Sequence, residues 1–214
     1  MGLLNREIIH SQGCIRAFER IFWAFLFFVD FRIGINNVNV DILPDFIGWI
    51  LMATALGWIL QLHSDIKGIR TLTFCLIFLS IFDLIELRKQ TTGFSVNISI
   101  TPLAVIGMIA GILAIIVIWK LCGVIIDMAT AVDNLLIKQR ADFRRKLYIC
   151  FIIALCVAIG LSLIFPPFII ATVIVGLPLA IVVFCLLMGL MKGTAKMCQQ
   201  SKSEVIVEPG TEAE

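Results

Sequence analysis

The feature that most constrains this chain is a succession of apolar runs, several of them long enough to cross about 30 Å of hydrocarbon. Read in windows of about 19 residues, helices are expected over roughly 14–34, 44–62, 70–87, 102–121, 147–165 and 168–191. With 214 residues and several such runs, residues 1–198 read as one compact polytopic bundle and not as a chain of domains. Hydrophobic residues make up 60% of the 214 and charged residues 15%, with a mean hydropathy of +1.05. A soluble globule sits near 45–50% apolar and about 25% charged, and this composition excludes it. The expected class is therefore all-α: a polytopic membrane helix bundle of six transmembrane helices arranged as three hairpins. Its first span is the weakest, because the uninterrupted run from Ile21 to Val29 is short. It reaches across only if Arg16 and Arg20 snorkel at one surface and Asp30 and Arg32 sit near the other.

Positive charges set the threading. With both termini cytosolic, the inner segments hold 13 of the 17 basic residues, and the outer loops hold Arg32, Arg88 and Lys89, with Lys120 at an inner boundary. This asymmetry matches the positive-inside rule and gives an N-in/C-in expectation. Each returning helix starts at or just after proline, at Pro44, Pro102 and Pro166-Pro167. Proline suits a first helical turn because no amide donor is needed there. Charge spread over Arg6, Glu7, Arg16, Glu19 and Arg20, with no small-residue cleavage site after the first run, argues against a cleaved signal peptide.

Beyond the fourth span, Leu121, Ile125, Met128, Val132 and Leu135 recur at helical spacing. An amphipathic inner helix over about 121–146 is expected, lying along the headgroups, packing under the bundle or pairing with a second copy. Arg140, Arg144, Arg145 and Lys146 give it a basic end attractive to anionic headgroups. The polar stretch 199–214 has no periodicity and is expected to be a disordered tail.

A charge near the bilayer centre is costly, so intramembrane acids are the natural functional candidates. Asp83 follows Ser80 and Thr73 along the third span, and Glu86 shares its face. Two carboxylates so close repel unless one is protonated or a cation intervenes, which is how a proton or cation site arises. The alternative places both acids at the outer interface, solvated or paired with Arg32, Arg88 or Lys89. The loop Asn36-Asn37-Val38-Asn39-Val40-Asp41, followed by Asp45, is rich in oxygen ligands but matches no calcium-loop spacing. Turn formation and a favourable charge at the start of the second helix account for it.

The stretch Val-Asn-Val-Asp-Ile-Leu-Pro-Asp-Phe-Ile-Gly-Trp-Ile-Leu, residues 38–51, resembles a segment that recurs in small, uncharacterised polytopic integral membrane proteins of Gram-positive bacteria. The similarity covers roughly residues 32–62. It implies a plasma-membrane location and marks Pro44, Asp45 and Gly48 as signature positions. No activity comes with it.

Gly107 and Gly111 form a G-x-x-x-G pair expected to carry close helix packing, inside the bundle or in a homo-oligomer. Pro178 is expected to kink the sixth span. Seven cysteines without C-x-x-C and only two histidines, His10 and His63, argue against a metal or haem site. The chain contains no nucleophile elbow, zinc-binding H-E-x-x-H, Walker loop or dinucleotide fingerprint. No enzyme and no cofactor are expected, and a net charge of +2 gives no reason to expect nucleic acid. Two readings remain: a structural, assembly or regulatory membrane module with a membrane-protein partner or second copy, and a small permease or channel lined by Asp83, Ser80 and Arg32.

Overall fold

A computed structural model describes residues 12–28, 32–35, 38–41, 45–81, 85–87, 102–165 and 168–207. The described residues form six helices: α1 (Gln12–Leu26), α2 (Asp45–Trp58), α3 (Ser64–Ile81), α4 (Pro102–Ala131), α5 (Leu135–Ile164) and α6 (Phe168–Val207). Each helix packs on its neighbours in sequence, and α6 closes back on α1, so the bundle is a ring.

The ring has two unlike ends. At one, called the basic end here, α1 begins, α2 and α4 finish, and α5 begins. Its interior is closely packed by Phe18 and Ile21 of α1, Leu56 of α2, Ile66 and Ile69 of α3, Leu121 and Met128 of α4, and Leu190 and Met191 of α6, all fully buried. The opposite end is looser. There Met108 and Ile112 of α4 and Ile174 and Val175 of α6 are more than half exposed.

Helices α4, α5 and α6 carry segments long and apolar enough to cross a membrane, at Val105–Ala131, Leu135–Ser162 and Thr172–Gln200. The other three expected spans are shorter helices. Helix α1 has 15 residues and α2 has 14, which is about 22 and 21 Å at the helical rise. Helix α3 opens with Asp65, Lys67 and Arg70.

Two expected spans end early for the same reason. The first stops at Leu26, and Arg32–Ile35 forms strand β1, paired antiparallel with β2 (Val38–Asp41) in the register Arg32↔Asp41, Ile33↔Val40, Gly34↔Asn39 and Ile35↔Val38. The third stops at Ile81, and β3 (Ile85–Leu87) pairs with β2 through Val38↔Leu87 and Val40↔Ile85. Alternating β-branched residues with Asn36-Asn37 between them are a hairpin pattern, in which apolar residues occur every second position and not every third or fourth. A three-stranded sheet, β1-β2-β3, thus accompanies the helical body at the loose end.

The expected continuous helix over 121–146 is also broken. Helix α4 ends at Ala131, Asp133 takes φ 51°, and Asn134 caps α5, its Oδ1 accepting the Ile137 amide at 3.0 Å. Leu121, Ile125 and Met128 are buried as the periodicity predicts, but Leu135 is 68% exposed beyond the turn. The segment is a helical hairpin and not one continuous rod. A left-handed backbone costs a residue with Cβ about 1–2 kcal/mol, least for Asp and Asn. Asp133→Val is accordingly expected to lower stability by about 1–2 kcal/mol, read by thermal unfolding in detergent, whereas Asp133→Gly should not. Helix α6 continues past the expected start of the tail at 199 to Val207, anchored by buried Ala195, Met197 and Cys198.

Candidate functional site

At the loose end, α2 begins with Asp45, whose carboxylate complements the positive end of the helix dipole. One turn on, the indole of Trp49 lies against the Phe28 ring with centroids 4.3 Å apart. Phe25 meets Phe28 on one side and Phe184 of α6 on the other, at 5.7 and 5.6 Å. This aromatic knot closes the seams between α1, α2 and α6.

The knot holds α2 where two cavities meet. One of about 250 Å³ lies among α2, α3 and α4, lined by Asp45, Trp49, Ser80, Gly107 and Gly111. The other, about 270 Å³, lies among α1, α2, α4, α5 and α6, lined by Phe25, Asp45, Trp49, Ala114, Tyr148 and Phe184. Asp45, Trp49 and Ala114 belong to both, so the two spaces share a waist with a carboxylate at its edge. Such an arrangement suits a small ligand with an apolar body and one cationic or hydrogen-bond-donating group.

The expected site residues fare differently. Asp83 and Pro44 lie outside the described residues. Arg32 occupies the first position of β1 opposite Asp41, and Glu86 the middle of β3 opposite Asn39. Ser80 lines the first cavity, and its hydroxyl donates to the Ile77 carbonyl at 3.1 Å. Asp45 sits at the waist. Gly48 is where α1 and α2 approach: a Cβ there would lie 2.9 Å from the Ala24 carbonyl oxygen and 2.6 Å from Phe28 Cε1. At Gly107 and Gly111 a Cβ would meet nothing within 4 Å. The close packing expected at that pair is therefore not made within the described chain; the two glycines widen a cavity instead.

Sequence reading missed the contacts of the arginines near the basic end. Arg145 lies over Trp119 at 3.5 Å, Arg20 over Trp58 at 4.2 Å and Arg70 over Phe74 at 5.4 Å. Guanidinium faces stacked on rings are worth about 0.5–2 kcal/mol each, and aromatic and cationic side chains of this kind mark membrane–water interfaces. No spacing rule links Arg145 to Trp119, since they stand on different helices. His63, at the end of the α2–α3 connection, accepts the Asp65 amide on Nδ1 at 3.1 Å. Its Nε2 faces Asp127 of α4 at 3.3 Å. Among the described residues, no three His, Cys, Asp or Glu side chains gather as a metal site.

No family model, curated protein or solved structure matches this chain.

Proposed function

We propose that this chain is a non-enzymatic, multi-pass protein of the bacterial plasma membrane, threaded six times with both termini cytosolic, that works as a structural, assembly or regulatory module. The observation that carries the reading is the largely apolar packing inside the basic end, where His63, Thr73 and Thr194 are the buried polar residues. The buried hydroxyls there are spent on their own helices, Thr73 donating to Ile69 and Thr194 to Leu190 at 2.9 and 3.0 Å. The side chains around them are apolar. A conduit needs polar groups directed into its path, whereas this packing floors the cavities above it. Uncovered apolar side chains near the same end supply a contact surface: Leu135, Leu136 and Phe143 are each more than half exposed beside Lys138 and Arg140.

The test pairs two measurements on the full chain. A photoreactive residue at Leu136 is expected to capture one defined membrane neighbour or a second copy in intact cells, and Leu135→Ser with Phe143→Ser should abolish the capture. Capture of nothing but lipid, by a chain that remains folded, overturns the module. Reconstituted vesicles are expected to show no flux above empty vesicles across a panel of ions and solutes.

A permease is the second reading, favoured by the two cavities that meet at Asp45. Saturable flux that falls at least tenfold with Asp45→Asn would transfer the conclusion to it; ten-fold corresponds to about 1.4 kcal/mol. Asp83 retains its sequence-based claim as a second acid for that test.

A further inference from the structure

The seam between α5 and α6 runs the length of the bundle, and its two ends differ in chemistry. Near the basic end, the Arg144 guanidinium lies against Gly189, with Nη1 and Nη2 at 3.6 and 3.8 Å from where a Cβ would stand. Further along, Leu155 Cδ1 lies 3.9 Å from where a Cβ on Gly176 would stand, and the Ser162 and Thr172 hydroxyls are 3.3 Å apart. Between these points the small residues Ala154, Ala158 and Gly176 leave a groove of about 330 Å³, walled otherwise by Phe151 and Val175. Phe151 and Ala158 lie seven and fourteen residues beyond Arg144, about 10 and 21 Å along the axis. An acyl chain whose headgroup sat at Arg144 would lie in the groove.

Arg140 and Arg144 stand one turn apart on α5, where like charges repel. Among the described residues neither has a carboxylate partner, whereas Lys146 is paired with Asp142 at 2.6 Å. Arg144 Nη1 is buried without an acceptor, and an unsatisfied buried donor is costly. A phosphodiester supplies two oxygens in the geometry a guanidinium fork fits.

We propose that the α5–α6 seam binds one anionic phospholipid, its phosphodiester held between Arg140 and Arg144 and one acyl chain seated in the groove at Ala154, Ala158 and Gly176. The site rests on the membrane reading given above. A zwitterionic headgroup binds less well because its ammonium meets the same two arginines.

Native mass spectrometry of the full chain, reconstituted with phosphatidylglycerol or phosphatidylcholine of identical acyl chains, tests it. One retained phosphatidylglycerol per chain is expected, with retention at least tenfold weaker for phosphatidylcholine, equivalent to about 1.4 kcal/mol. Arg140→Gln with Arg144→Gln should remove the preference. Ala158→Phe should weaken retention of both lipids by filling the groove. Thermal unfolding run on each variant identifies any that lose lipid by losing the fold, and Arg140→Gln alone, an exposed position, then provides the reading. Equal retention of the two lipids, or displacement by glycerophosphoglycerol as effective as by intact lipid, overturns the proposal. Alkaline carbonate washing of cell membranes separates the two failures. Protein that stays in the pellet but shows no lipid preference loses only the lipid site, and protein released into the wash loses both.

Discussion

Gly48→Ala is expected to unfold at a temperature about 2–12 °C below the unsubstituted chain in the same detergent, a loss of about 1–3 kcal/mol. The added methyl would stand 2.9 Å from the Ala24 carbonyl oxygen. That oxygen belongs to the backbone of α1, so relief requires moving a helix. The Phe28 ring, 2.6 Å away at Cε1, has little freedom to turn aside because it is packed on Trp49. Helix α1 is in turn fixed on its other side by Phe25 against Phe184. Gly48→Val should cost more, since a branched side chain brings a second methyl into the same space and restricts χ1. The control is Gly107→Ala, where a Cβ meets nothing within 4 Å and alanine is the better helix former by up to about 1 kcal/mol. Stability there should be unchanged or raised. Tryptophan fluorescence reports the first variant directly, because Trp49 is part of the contact. Equal unfolding temperatures for Gly48→Ala and the unsubstituted chain would remove the close approach of α1 and α2, and with it the placement of Asp45 at the cavity waist.

These glycines show how far sequence carries and where it stops. Both Gly48 and the Gly107/Gly111 pair invite attention as small residues in apolar helices, but spacing alone does not say which face meets a neighbour. The tight contact falls at the lone glycine and the open space at the pair. The long apolar runs of α4, α5 and α6 were legible because nothing but hydrocarbon-length helix explains them. The loose-end sheet was hidden by the same hydrophobicity: Ile33, Ile35, Val38 and Val40 extend an apolar window as well as they alternate along strands, and only their period tells the two apart. The turn after α4 was signalled by Asp133-Asn134, residues that tolerate left-handed backbone and cap helices, yet the heptad runs through them without interruption. Asp45 was legible as the opening charge of a helix. Trp49 was not, since a tryptophan inside an apolar run reads like its neighbours until the helices are packed. Contacts between helices, such as Arg145 on Trp119 or Arg144 beside Gly189, exist only once neighbouring helices have packed.

Ring closure itself has an all-or-none consequence. Cys14 near the start of α1 and Cys198 on α6 are fully buried with their Sγ atoms 2.8 Å apart, so a small movement reaches the 2.05 Å of a disulfide. In a chain keeping only these two cysteines, with a protease site placed between β3 and α4, oxidation by a small membrane-permeant oxidant is expected to join the two fragments. After cleavage they should migrate together without reductant and apart with it. Their separation of 184 residues makes the closed loop a long one, and the chain-entropy model assigns such a bridge about 5 kcal/mol. The oxidised chain should therefore resist unfolding far better than the reduced one. The result follows from ring closure because neither end of the molecule contributes alone: α1 is a short amphipathic helix whose buried face, Cys14, Phe18, Ile21 and Phe25, has no complete partner until α6 returns beside it. Chain ends that merely float near each other would give a weak, slow yield, unchanged when Phe25→Ala with Phe184→Ala loosens the seam. A docked α1 gives a high yield that falls with that double variant. Fragments that separate without reductant would break the ring between its first and last helices.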